Sequence, residues 1–407
     1  MRKTVAFLLL ISLAGNGLCS DGDWPHYRGP NRDGIVPVKN LLQGKSFGFE
    51  TDWIRDLGSG YSSVAVVGDT GVTMFSNGSS DVVMAFDAAS GKEKWHYDLG
   101  PVYKGHSGSR DGPTSTPTLH DGIVYAIDPH GTFVALSLEK GEKLWAHHLG
   151  KDVTARVPHY GFNTVPTVVG DAVIVMTGAK PDHAFTAFDR KSGKPLWNSG
   201  NDTTTYQSPF IWKREGKQHI LALTDHFLME LDPKDGRVLW QQEHTILDNE
   251  SFTPPVMMGT NKLVIMHRHM MGGYELSWSG GVATMKELWR LPKYPQTYSI
   301  PVYYQDHLYF LRGQFLTCLN AENGEEVWKS RPPGGRALTL MDGHLIIVAN
   351  SGELTAVEAT SEGYREKARF KVFSEESYTP ISFAHGHIFM RNLKQMARVK
   401  IVDRAKD

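Results

Sequence analysis

Short apolar runs of four to six residues recur along nearly the whole chain, each bounded by Gly, Pro, Asp or His. The segment from Thr114 to Gly150 is the clearest. It opens with Thr114-Ser-Thr-Pro-Thr-Leu119, turns at His120-Asp-Gly122, and runs through Ile123-Val-Tyr-Ala-Ile127. Pro129-His-Gly131 turns it into Thr132-Phe-Val-Ala-Leu136, and Lys140-Gly141 turns it again into Glu142-Lys-Leu-Trp145. Runs of this length, rich in β-branched and aromatic residues and closed by turn formers, predict four antiparallel strands joined by tight hairpins. No long stretch repeats at 3.6 residues, so a two-domain α/β enzyme is a poor reading.

The unit recurs. Its ending reappears as Asp87-Ala-Ala-Ser-Gly91-Lys-Glu-Lys-Trp95, Asp189-Arg-Lys-Ser-Gly193-Lys-Pro-Leu-Trp197, Asp232-Pro-Lys-Asp-Gly236-Arg-Val-Leu-Trp240 and Asn320-Ala-Glu-Asn-Gly324-Glu-Glu-Val-Trp328, with a degenerate copy at Trp289. Six Trp at spacings of 39–52 residues mark a repeat architecture. The turn glycine supplies positive φ, and the Trp has the area to wedge one sheet against the next. Openings near Ser62, Ser115, Thr164, Gln207, Phe252, Ser299, Ala337 and Tyr378 count eight units. The seventh lacks its Trp and ends near Arg369-Phe370; the eighth runs out after three strands. The missing strand stands before the first unit, at Phe47–Leu57 with Trp53. A ring in which this strand completes the last blade leaves no open sheet edge. The pattern therefore predicts an all-β, eight-bladed propeller of four-stranded blades over residues 47–407, with seven blades as the alternative because units five and seven are degenerate.

Composition narrows the function. Lys+Arg is 43 against Asp+Glu 44, which excludes a strongly basic nucleic-acid binder. Residues 1–20 read as an export signal: Arg2 and Lys3 precede a short apolar stretch, Val5–Leu13, too short to span a membrane. Cleavage near Ser20 leaves Cys318 alone, so no internal disulfide is expected and the core must carry stability. Residues 21–46 form a leader in which Asp23-Trp-Pro-His-Tyr-Arg-Gly-Pro-Asn-Arg-Asp-Gly34 is too rich in Gly and Pro for helix or strand; Trp24, Tyr27 and Arg28 are expected to pack over the propeller or lock the closing strand. The Asn77 and Asn201 acceptor patterns are not expected to be glycosylated behind a bacterial-looking signal.

The repeat resembles the PQQ-like β-propeller repeat, shared by BamB-type outer-membrane assembly proteins and quinoprotein dehydrogenases. The Trp24-Pro…Arg28-Gly-Pro leader is similar to the start of many exported PQQ-like proteins of planctomycete-type bacteria. The resemblance implies fold more firmly than activity. Its enzymes hold PQQ and Ca²⁺ on the axis, with a catalytic Asp and often a vicinal Cys pair. This chain has no adjacent Cys pair and no recognisable Glu/Asn/Asp set.

The expected function is a non-catalytic binding or scaffold propeller of the periplasm or cell surface, monomeric, without a cofactor and without a membrane span after signal cleavage. PQQ-dependent oxidation of alcohols or sugars, with Ca²⁺, is the alternative. Loops joining each blade's last strand to the next blade's first are rich in polar and aromatic residues, and a ring brings them to one face. The candidate ligand-binding residues there are Arg110, Asp111, Arg156, His159, Tyr160, Asn163, Tyr206, Gln207, Asn249, Glu250, Tyr298, Arg336, Glu376 and Tyr378. The ligand expected is a protein partner or a glycan. No hydrolase or metalloprotease motif accompanies them. His267 and His269 share a strand face and could share a metal, but a strand with one solvent and one core face explains them. His385-Gly386-His387 reads as a hairpin turn.

Overall fold

The computed structural model describes residues 22–179, 181–203, 206–244, 253–266, 270–279, 282–292 and 299–404. Eight antiparallel meanders stand around one axis, each with its first strand innermost. Blade one spans residues 65–101, blade two 118–148, blade three 167–199, blade four 210–243, blade five 256–292, blade six 302–330 and blade seven 337–371. Blade eight takes three strands from 382–403 and its outermost strand, Phe47–Asp56, from the other end of the chain. That strand pairs antiparallel with Gln395–Asp403, from Phe47 opposite Asp403 to Asp56 opposite Gln395. The count is eight, and the seven-blade alternative falls. The only helix among the described residues is the single turn Leu149–Asp152, so none is long and apolar enough to cross a membrane.

The recurring Trp has a geometric reason. Trp95, Trp145 and Trp197 stand opposite Ala85, Ala135 and Ala187, each beside a bulge in the outer ladder. The bulge re-aims the side chain toward the next blade. There the indole donates to a carbonyl: Trp95 to Leu138 at 2.9 Å, Trp145 to Arg190 at 3.2 Å and Trp289 to Ala321 at 2.9 Å. It also lies on the turn glycine of that blade. A Cβ on Gly193, whose φ is +73°, would sit 2.7 Å from the Trp145 ring. One residue thus needs both the left-handed backbone and the missing side chain.

The degenerate units are explained in the same terms. In blade five Trp289 stands opposite Gly273, where a Cβ would overlap the indole, and the outer hairpin Met270–Ser279 and Val282–Pro292 is longer than elsewhere. In blade seven Ala368, opposite Ala356, takes the Trp position, and the leader adds a fifth, parallel strand at the inner edge, Ile35–Val36 beside Leu340 and Met341. Apolar clusters fill the spaces between blades; one joins Trp24 and Phe49 to Phe86, Phe389 and Val348 across the seam between blades seven, eight and one. Cys318 is a free, buried thiol in blade six, and burial pushes it up to about 12.

The leader runs along the inner strands, and Trp24 shares an apolar cluster with Phe47, Phe49 and Trp53 of the closing strand, in line with the locking role expected from sequence. Trp24 bridges Val66 of blade one, and Leu119 of blade two donates to the Pro25 carbonyl. Asp23 accepts from Gly68 N–H and meets His385 at 3.0 Å in the blade-eight turn. Further on, Leu340 donates to Gly34, and the Asp342 carboxylate accepts from Leu42 N–H at 2.6 Å. These partners are separated by as many as 362 residues, so no local pattern announces them.

Candidate functional site

The segments leading into all eight blades meet at a cavity of about 770 Å³ on the axis. That size lies within the roughly 300–1,000 Å³ typical of small-molecule sites. One wall is the leader: Tyr27, Arg28, Asn31, Arg32 and Asp33. The facing wall comes from the inner strands of blades four and five and the residues before them, with Phe210, Ile211, Trp212, Pro254, Pro255, Val256 and Met257. The rim is formed by the loops entering each inner strand. The first wall is polar and charged, the second largely apolar.

Rim tyrosines hold one another. Tyr61 meets Tyr378 edge to face at 5.6 Å, and the Arg336 guanidinium lies 5.4 Å over the Tyr378 ring. Tyr160 is 5.8 Å from Tyr206, whose hydroxyl accepts the Tyr160 N–H at 3.1 Å. His106 stacks on Tyr160 at 4.9 Å, and the Tyr103 hydroxyl is 3.1 Å from His106 Nε2. The Tyr378 hydroxyl donates to Glu376, and this bond, ahead of burial, holds the phenol proton above its ordinary range.

The leader wall carries two guanidiniums on strained backbone. Arg28 and Arg32 have φ of +64° and +59°, uncommon for residues with a side chain. Arg28 is 4% exposed. It donates to the carbonyls of Asp33 at 2.6 Å and Pro301 at 3.0 Å, more weakly to Ile300 at 3.4 Å, and its Nε has no acceptor. Gly34 lies against it, since a Cβ there would be 2.6 Å from an Arg28 nitrogen. Arg32 donates once, to the Pro166 carbonyl at 2.9 Å. Burial lowers both, Arg32 to about 10. The Asp33 carboxylate accepts its own loop's Ile35 N–H at 2.9 Å, and burial raises its pKa.

Of the candidate residues named from sequence, Tyr160, Asn163, Tyr206, Gln207, Arg336 and Tyr378 line the cavity. Arg110, Asp111, Arg156, His159 and Glu376 stand outside its lining. Arg110, Arg156, His159 and Glu376 are exposed, and Asp111 pairs with Lys104 at 2.8 Å and caps Gly105 N–H at 3.0 Å. Asn249, Glu250 and Tyr298 lie outside the described residues, as do His267 and His269. Sequence reasoning singles out Tyr27 and Arg28 for packing or for locking the closing strand, and misses Asn31, Arg32, Asp33 and the inner-strand residues opposite. The signal was present in part, because two Arg four residues apart in a Gly/Pro-rich leader are unusual; what was missing was the path of that leader into the channel.

Comparison with known proteins follows the same lines. The family model described as outer membrane protein assembly factor BamB matches residues 79–251 and 281–365, together more than half of the chain. Among solved structures, BamB from Moraxella catarrhalis superimposes with a TM-score of 0.60 at 14% identity, covering 86% of this chain and 97% of that one. The quinohemoprotein alcohol dehydrogenase from Comamonas testosteroni superimposes with a TM-score of 0.65 at 13% identity, covering 94% of this chain and 81% of that one. Both likenesses are likenesses of fold. Among curated proteins, the quinoprotein glucose dehydrogenase of Escherichia coli is 24% identical over 47% of this chain, and the quinohemoprotein alcohol dehydrogenase ADH IIB of Pseudomonas putida 26% identical over 46%. The matches span 30% and 28% of those relatives' own length.

Proposed function

We propose, for a chain that belongs to the family of the outer membrane protein assembly factor BamB, that it is an exported binding or scaffold propeller. Its ligand or partner protein seats on the axial cavity and the tyrosine rim around it, in the periplasm or at the cell surface, with a role in assembling the envelope. The observation that carries this reading is the convergence of the leader and the segments entering all eight blades on one cavity lined by aromatic and polar groups. Such a surface recognises without chemistry of its own: aromatic faces supply area, and hydroxyls and amides fix orientation.

The alternative, a PQQ-dependent dehydrogenase, draws on the likeness to quinone-linked dehydrogenases. The described lining residues do not fit its cofactor set. A Ca²⁺ partner takes about six to eight oxygen ligands. Asp33 is the one carboxylate among the described lining residues, and its oxygen serves Ile35. Among the described residues no three His, Cys, Asp or Glu are grouped as metal ligands.

The reading is tested on glycan and peptide arrays with residues 21–407 and with a Tyr160→Ala, Tyr378→Ala double variant. The expected result is a set of ligands held by the parent and weakened about tenfold or more by the double change, at an unchanged thermal midpoint. Ligands indifferent to both rim tyrosines, or no ligand at all, contradict it.

A further inference from the structure

The charge of the cavity is unbalanced. Three guanidiniums line it, those of Arg28, Arg32 and Arg336, against the single carboxylate of Asp33 among the described lining residues. Arg32 has one carbonyl acceptor and no carboxylate partner among the described residues, whereas Arg28 has carbonyl acceptors and feels the Asp33 carboxylate through its charge alone. An ionised group withdrawn from water without a counter-charge is costly. Carbonyls solvate a cation but do not neutralise it. Arg28 spends its bonds on holding the leader to blade six; Arg32, with one acceptor and partial exposure, keeps most of its donor fork open to the cavity. The wall opposite offers Ile211, Trp212 and Met257.

We infer that the axial cavity takes a small amphipathic organic anion, its carboxylate or phosphate received by Arg32 with Arg28 behind it and its ring or apolar body lying against blades four and five. This rests on the axial binding proposed above and adds the ligand's chemical class. A guanidinium fork matches planar carboxylate and phosphate oxygens with two parallel bonds, a match that an ammonium does not offer. The leader is then a working part of the site: without it the channel loses both guanidiniums and keeps only the apolar wall and the rim. The left-handed backbone at both arginines is consistent with a segment held in place for recognition.

The test is calorimetric titration of residues 21–407 with 2-naphthoate, 1-naphthyl phosphate and uncharged 2-naphthalenemethanol. The expected result is one-to-one binding of at least one anion, about tenfold or more tighter than the alcohol and weakening with salt. Arg32→Gln is expected to remove that preference, and Arg32→Lys to restore part of it. Arg28→Gln is read beside its thermal midpoint, because its carbonyl bonds also hold the leader; Arg32→Gln breaks a single bond and keeps the test independent of folding. The relative response of the two anions distinguishes a carboxylate from a phosphate site. Equal binding of the anions and the alcohol, with Arg32→Gln unchanged, overturns anion recognition while leaving axial binding intact. No binding of either anion also overturns it, and the array experiment with the rim variants then decides the broader reading separately.

Discussion

Arg391 of blade eight donates to the Met74 carbonyl of blade one at 2.7 Å, across the seam where the two ends of the chain meet. The same guanidinium reaches the Gly58 carbonyl at 2.9 Å, and its Nε donates to Asn392 at 3.1 Å. It is 1% exposed, and burial lowers its pKa to about 9. A cation placed so deeply persists because the carbonyls of Gly58, Met74 and Asn392 meet its donors, and what it secures is closure.

Arg391→Met keeps much of the volume and removes the donors, leaving seam carbonyls unpaired. The expected loss is about 2–4 kcal/mol by chemical denaturation. An unchanged denaturation midpoint would show that the seam is held by apolar packing alone.

Deleting residues 22–57 removes both the leader and the outermost strand of blade eight. The whole ring is expected to unfold at markedly lower temperature, in one transition. Deleting only residues 22–34 leaves Phe47–Asp56 in place and is expected to lower the midpoint less. Equal midpoints for both deletions would contradict the closing role of the strand.

Trp145→Ala is expected to cost roughly 3–5 kcal/mol, since the side chain is 8% exposed and its loss leaves a cavity between blades two and three. Gly193→Ala is expected to destabilise by about 1–3 kcal/mol, because the new Cβ meets the Trp145 ring in a left-handed backbone. The two changes share one contact, so their combined cost should fall below the sum of the single costs. Full additivity in a double-mutant cycle would argue against that contact.

This contact also shows what was legible in the sequence. Trp and turn glycine recur because blade after blade buries the same pair, as at Trp95 and Gly141, Trp145 and Gly193, Trp197 and Gly236, and Trp289 and Gly324, so spacing alone revealed the repeat, the ring and the borrowed strand, expected at Phe47–Leu57 and found at Phe47–Asp56. Tyr160 and Tyr378 could be placed at the rim because a ring puts equivalent loops on one face. Arg28 and Arg32 could not be placed. Their partners, Pro301 and Pro166, lie far along the chain and offer only backbone carbonyls, which leave no mark on residue type.

Asp81 offers a pH test. Burial raises its carboxyl to about 6, against the opposing bond from Tyr103 N–H and with a smaller upward push from Asp128. Between roughly pH 4 and 6 the native state therefore holds a proton that the unfolded chain has released, so this group's contribution makes stability fall as pH rises through that window. Asp81→Asn is expected to abolish that fall, of order 2 kcal/mol, when unfolding is followed across the window. An identical pH slope in parent and variant would place the proton elsewhere.

On the function proposed above, the axial cavity recognises a ligand and is not a quinone redox centre. The most direct measurement is calorimetric titration of metal-free residues 21–407 with PQQ plus Ca²⁺, coupled to dye reduction in the presence of alcohols and sugars. The account predicts no Ca²⁺-dependent stoichiometric binding of PQQ and no substrate-dependent dye reduction. Stoichiometric, Ca²⁺-dependent binding with alcohol- or sugar-dependent reduction of the dye would contradict it and identify the propeller as a dehydrogenase.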